Sequence, residues 1–334
     1  MKQTFFALLT LILAGAVSTN AQEAMAVLKS GATTKTYNGS KALQSAYADA
    51  AESGDVITLS SGTFLAVPEI AKSVTIRGAG AYIDNTYKTQ PTFISGNFAI
   101  GKPSVTIEGI AVAEKQAITL KASSPKFIKC KLQNIYYYEF EKDGNKYHNI
   151  VDNAYFLHCQ ILSKVNCPTG SMTFINCQVY CPSTMNNNAS TMTFRNCAVI
   201  FSGVTSHVYN STFINSYVYC NDNSWYTNEY TTFTNCLFYP SSDKYRNGAT
   251  PSYANCWSNN IMNNIFVEGS WYVFTDTSKS KYVDEYGRQI GIRGGTFPWN
   301  IRMAGPHIKS MEVAPRSTAD GKLRVKMTVE STGY

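Results

Sequence analysis

The chain has 334 residues, a net charge of +7 and only 15% charged residues, against roughly 25% in typical globular proteins. No Lys/Arg run concentrates the positive charge, which sets aside nucleic acid. No stretch beyond the N-terminus approaches the roughly 18 apolar residues of a membrane-spanning helix, so no membrane span is expected.

At the N-terminus, Lys2, an apolar run from Phe5 to Val17, and the small residues Thr19 and Ala21 before Gln22 predict a secretory signal peptide over residues 1–21. No Cys follows the cleavage site, so a lipid anchor is not expected there. The mature chain is expected to be secreted or held at the cell surface. Residues 40–52, within "SKALQSAYADAAESG", read as a short amphipathic helix. Further on, "SVTIEGIAV" (Ser104 to Val112) reads as strand, bend and strand, with Gly109 at the bend.

The middle of the chain repeats. "TFINCQVY" from Thr173 returns as "TFRNCAVI" from Thr193, "TFINSYVY" from Thr212 and "TFTNCLFY" from Thr232. The aromatic anchors are Phe127, Phe156, Phe174, Phe194, Phe213, Phe233 and Tyr253, and after a first gap of 29 the spacings are 18, 20, 19, 20 and 20. A period near 20 in β-forming residues, without helical periodicity or a Leu-rich frame, predicts a β-solenoid. Phe, Asn, Cys and Val occupy positions i, i+2, i+3 and i+5. Alternation therefore fails between Phe and Cys unless the Asn is a bend, for which its tolerance of the left-handed conformation suits it. Phe, Cys and Val then all point inward. Asn176, Asn196, Asn215, Asn235 and Asn255 stack at about 4.8 Å, each amide bonding to the next.

All nine cysteines fall between Cys130 and Cys256. An exported chain suggests disulfides, but the number is odd and five share the motif frame. They read as a column of small buried side chains, leaving room for one incidental bridge among Cys167, Cys177 and Cys181. With four His and no ligand-spaced set, no zinc or other metal site is read, and no cofactor motif occurs. The widened gap of 29 holds "YYYEFEKDGNKYHNIVDN", a hairpin with Asp143-Gly144 at its tip. It is either a solvated hairpin on the coil edge or the wall of a groove in which Tyr136, Tyr137 and Tyr138 meet a ligand. Residues 301–334 alternate like two strands, in "HIKSMEVAP" and "GKLRVKMTV", and read as a β segment or cap.

With these motifs the chain resembles the right-handed parallel β-helix proteins of the pectin-lyase-like superfamily. "SGDVITLSSGTF" (Ser53 to Phe64) and "KSVTIRGAG" (Lys72 to Gly80) look like their first coils, and "YGRQIGIRGGTFPWN" (Tyr286 to Asn300) is similar to the end of β-helix proteins exported by gut-dwelling Gram-negative bacteria. The resemblance implies an all-β right-handed parallel β-helix over residues 22–300, of about nine or ten coils, with the helix capping its open end. Lyases, hydrolases, spikes and adhesins all use this scaffold.

Lyases on the scaffold need a basic residue and usually carboxylate-bound calcium, and hydrolases need clustered Asp side chains. From Asn153 to Asn221 there is no Asp or Glu. Acidic residues flank this gap: Glu139, Glu141, Asp143 and Asp152 before it, Asp222, Glu229 and Asp243 after it. Lys129 and His158, which replace ladder asparagines, and Arg195 are the candidate catalytic residues. Counting outward from the Cys frame gives Tyr180, Tyr217, Tyr219, Tyr239 and Trp257, an aromatic strand face suited to stacking on sugar rings or to being covered. With Tyr137 these are the candidate ligand-binding residues. The leading expectation is a non-catalytic β-helix that binds a polysaccharide or glycoconjugate. The alternatives are a polysaccharide lyase or glycoside hydrolase, and a structural spike or matrix component whose aromatic face joins chains into an oligomer.

Overall fold

The computed structural model describes residues 24–83, 90–180, 182–184, 190–201, 208–220, 230–239, 252–258, 265–267, 273–300, 303, 305–313 and 325–332. The expected signal peptide and Asp222, Glu229 and Asp243 lie outside these residues. The chain is an all-β parallel solenoid of about eight turns, close to the nine or ten coils expected. Among the described residues, three sheets form its wall. The first has twelve strands: Met25–Ser30 and Thr33–Asn38 pair antiparallel, and ten parallel strands follow, from Ser53–Leu59 to Ser252–Ala254. The second has ten strands, from Gly62–Leu65 to Trp257–Ser258, and the third has six, from Glu69–Ile70 to Pro182–Thr184.

The repeat produces this wall by in-register stacking. Phe174 pairs with Phe194, Phe194 with Phe213, and Phe213 with Phe233. Their rings stack inside the solenoid at 5.0, 4.5 and 4.7 Å. Each buried ring is worth roughly 1.5–3 kcal/mol from area alone, and each stacked pair adds about 0.5–1.5 kcal/mol. Val179, Val199 and Val218 fill the interior from the second sheet.

At the N-terminal end, helix α1 (Ala42–Asp49) buries Ala42, Leu43 and Ala46. Leu43 faces Val67, Ile70, Ile76, Ile94 and Phe98 of the early coils. The antiparallel strands at 25–38, absent from the sequence reading, extend the first sheet beside this helix. Beyond the coils, helix α2 (Asp276–Lys281) is capped by Thr275, whose hydroxyl accepts from the Ser278 amide at 3.4 Å. Strands Gly305–Val313 and Val325–Thr332 pair antiparallel, as their alternation predicts.

Candidate functional site

The bend between the first and second sheets is one residue wide. Gly109, Lys129, His158, Asn176, Asn196, Asn215, Asn235 and Asn255 occupy it in successive coils, with φ between 48° and 64°. Asn suits this left-handed region, whereas Lys and His pay about 1–2 kcal/mol for their Cβ there, so something else must favour them.

At His158 it is the chain after the last coil, which folds back over the bends as a strap. The Gly291 amide donates to the Asn215 carbonyl at 2.8 Å. Asn176 Nδ2 donates to the carbonyls of Ile292 and Gly294, both at 2.9 Å. Gly295, at φ 75°, sits so close that a Cβ there would lie 2.7 Å from Asn196 Oδ1. His158 Nε2 donates to the Phe297 carbonyl at 2.9 Å, and the His158 carbonyl accepts from Trp299 Nε1 at 3.1 Å. Finally Met303 reaches Gly109, where any Cβ would overlap its sulfur. The expected uniform amide ladder is thereby corrected. Asn235 donates to Asn215 at 3.1 Å, but the Asn176 amide is committed to the strap. Asn196 Nδ2 is buried without a partner.

The strap decides the standing of the catalytic candidates. Lys129 and His158 occupy neighbouring bends and Arg195 lies beside the bend at Asn196, so the three share one side of the solenoid. Lys129 is only 3% exposed, and desolvation holds its ammonium below the usual lysine range, partly offset by Glu108. Glu108 in turn pairs with Arg77 at 2.7 Å. His158 is 8% exposed, and burial likewise lowers its pKa. A carbonyl only accepts, so its Nε2 carries the hydrogen, and its Nδ1 is buried without a partner. Expected to emerge at the bends, Lys129 and His158 are instead covered. Arg195 is exposed.

The aromatic face of the second sheet, read as either a sugar-stacking surface or a covered one, is covered. Tyr217 is 1% exposed and Tyr219 8%. With Ile200 and Leu237 they form a second hydrophobic core against Phe266, Phe274 and Ile290 from beyond the coils. Tyr217 and Phe266 meet edge to face at 4.7 Å. Tyr180, Tyr239 and Trp257 lie half-buried at the margin of this core, Trp257 edge-on to Tyr282 at 5.7 Å. The covering residues are themselves apolar, which the sequence could have signalled.

The open aromatic surface lies on the third sheet. In strand Asn134–Tyr137, Ile135 and Tyr137 point inward, and Tyr137, expected to meet a ligand, instead donates its buried hydroxyl to the Val151 carbonyl at 2.7 Å. Asn134, Tyr136 and Tyr138 point outward, spanning about 13 Å at the usual rise per residue. The Tyr136 hydroxyl donates to Asn134 Oδ1 at 3.2 Å. Tyr138 is 38% exposed, and the Lys121 ammonium lies 4.7 Å from its ring centroid while pairing with Glu69 at 2.6 Å. On one flank rises the expected hairpin, Glu139–Lys142 paired with Asn145–His148. It stacks Phe140 between Tyr138 and Tyr147 at 6.3 and 5.7 Å. On the other flank, turns of three successive coils enclose an open recess of 460 Å³ lined by Glu114, Lys115, Gln133, Asn134, Leu162 and Ser163. The period-2 spacing of Asn134, Tyr136 and Tyr138 was the available signal for this face.

Cys130, Cys159, Cys167, Cys177, Cys197, Cys236 and Cys256 are free thiols, and all but Cys256 are buried. Those in the motif frame donate to the carbonyl two residues back, as Cys177 does to Ile175 at 3.2 Å and Cys197 to Arg195 at 3.3 Å. Burial pushes Cys130, Cys159 and Cys177 well above the usual thiol range. Among the described residues no group of three or more His, Cys, Asp or Glu is arranged to hold a metal ion, and no helix is long and apolar enough to cross a membrane. No family model, curated protein or solved structure matches the chain.

Proposed function

We propose that this solenoid is a secreted or surface-exposed protein that binds a polysaccharide or glycoconjugate on the outer face of its third sheet. One observation carries the reading: Tyr136 and Tyr138 lie outward with Asn134 on a sheet face bordered by a recess and an aromatic hairpin. Tyrosine rings offer flat apolar surface for the C–H faces of sugars, with hydroxyls that can bond to the sugar's own. Asn134, Gln133 and Ser163 add short polar groups, and the recess falls within the roughly 300–1,000 Å³ of ligand pockets. The covered face of the second sheet takes no part in this reading.

The test is a glycan array followed by affinity electrophoresis with the polysaccharides that score. Binding is expected, with loss in Tyr136→Ala/Tyr138→Ala and none in Tyr239→Ala. No binding to any glycan, or binding unchanged in the double variant, overturns the proposal. Glu114 and Lys115 place ionisable groups at the recess, which favours a lyase or hydrolase as the second reading. Unsaturated or reducing ends released from the same polysaccharides, and abolished by Lys115→Ala or Glu114→Gln, would replace binding by turnover.

A further inference from the structure

The inward sulfurs end in a pair with its own geometry. Cys236 and Cys256 face each other across the last two coils, because the flanking pairs Thr234–Ala254 and Leu237–Trp257 are in register. Each thiol donates to the carbonyl two residues back, Cys236 to Thr234 at 3.3 Å and Cys256 to Ala254 at 3.4 Å. The two side chains are therefore copies displaced by one coil, and their sulfurs stack at about the strand spacing of 4.8 Å. Cys236 is fully buried, while Cys256 is half-buried at the end of the column.

Two metal–sulfur bonds of about 2.3 Å placed in line span about 4.6 Å, which matches that spacing. A disulfide needs about 2.05 Å between the sulfurs and would pull both side chains out of the stack. We propose that Cys236 and Cys256 form a two-sulfur site for a soft metal ion of linear coordination, such as Cu(I) or Ag(I), the ions that thiolates select. Binding replaces both S–H bonds by metal–sulfur bonds and releases two protons to solvent, giving a complex of one negative charge with a monovalent ion. That charge explains why the pair at the end of the column serves and the inner file from Cys130 to Cys197 does not. The inner thiols are fully buried, where an unpaired charge is costly, whereas Cys256 borders solvent.

The experiment titrates Ag(I) into the folded protein in a Cys181→Ser/Cys220→Ser background, since Cys181 and the Cys220 side chain lie outside the described residues. Uptake is followed by sulfur-to-metal ultraviolet absorption and by the protons released. The expected result is saturation at one ion and two protons per chain, lost in Cys236→Ser and in Cys256→Ser but kept in Cys130→Ser. Serine folds in this frame, because Ser216 already occupies it and bonds to the Ile214 carbonyl at 2.9 Å. Retained uptake in either Cys236→Ser or Cys256→Ser, one proton per ion, or no saturable uptake in the parent overturns the proposal. Carbohydrate binding plays no part in the readout, so this site and the third-sheet reading fail or stand separately.

Discussion

The outer faces of the second and third sheets begin from the same material. Each carries tyrosines at alternate positions, Tyr217 and Tyr219 on one, Tyr136 and Tyr138 on the other. One face is the floor of a second hydrophobic core and the other borders solvent. The difference does not lie in the strands. It lies in a segment after the last coil, where Phe266, Phe274 and Ile290 supply the apolar surface that seals the second sheet. The third sheet has the hairpin at 139–148 along its edge instead, with Tyr147 44% exposed. An outward aromatic thus marks a surface available for contact, and on the second sheet the partner comes from the same chain.

Substitutions can break or sharpen this contrast. The largest effect is expected for Tyr217→Ala, which removes a fully buried ring from the second core and should cost about 3–5 kcal/mol in urea unfolding. A cost near zero would mean that the tail does not seal this face in solution. Next comes Asn176→Ala, which loses two hydrogen bonds to the strap and places a Cβ-bearing residue without Asn's tolerance at φ 48°. About 2–3 kcal/mol is expected, with faster amide exchange over residues 291–297.

The pH dependence of the strap should be smaller. Burial lowers the His158 pKa, so its contribution is full above the unfolded value of about 6.5 and is lost as pH falls through that value toward the folded one. Protonation would place a charge in a desolvated site beside Lys129, which outweighs the Phe297 and Asn300 backbone groups that favour it. The protection of amides at residues 297–300, relative to their intrinsic exchange at each pH, should therefore fall below about pH 6.5, and His158→Gln should flatten that profile. The smallest effect on stability belongs to Tyr138→Ala, about 1 kcal/mol, because its ring is partly exposed and gives up contacts with Lys121 and Phe140 rather than a place in a core. A destabilisation as large as that of Tyr217→Ala would show the third face to be a core too.

The solenoid was legible in the sequence because each coil repeats the same physical problem. Phe194, Cys197 and Val199 must share the interior, and Asn196 must turn the chain between them, so a period near 20 and one bend residue state the whole cross-section. Contacts outside the period were not legible in this way. The burial of Tyr217 depends on Phe266, and the covering of His158 on Phe297 and Trp299, far along the chain and outside the repeat. Lys129 and His158 looked like departures from the ladder with catalytic chemistry, but His158 holds the strap and Lys129 is buried beside it. The recess escaped because its walls are turn residues from three coils, each unremarkable alone. Tyr137 was misplaced by one position, and a shift of one residue in a strand exchanges inside for outside.

The strap also measures length. Its residues meet particular bends between Asn215 and Gly109, Gly291 at Asn215, Ile292 and Gly294 at Asn176, Phe297 at His158 and Met303 at Gly109. Duplicating one coil between His158 and Asn215 would move these bends apart by about 4.8 Å. The strap could then no longer keep Gly291 at Asn215, the Ile292 and Gly294 carbonyls at Asn176 and Phe297 at His158 together. Repeat proteins readily gain and lose units by copying, but in this chain the copy number is tied to a sequence that lies outside the repeats, and the two can change only together.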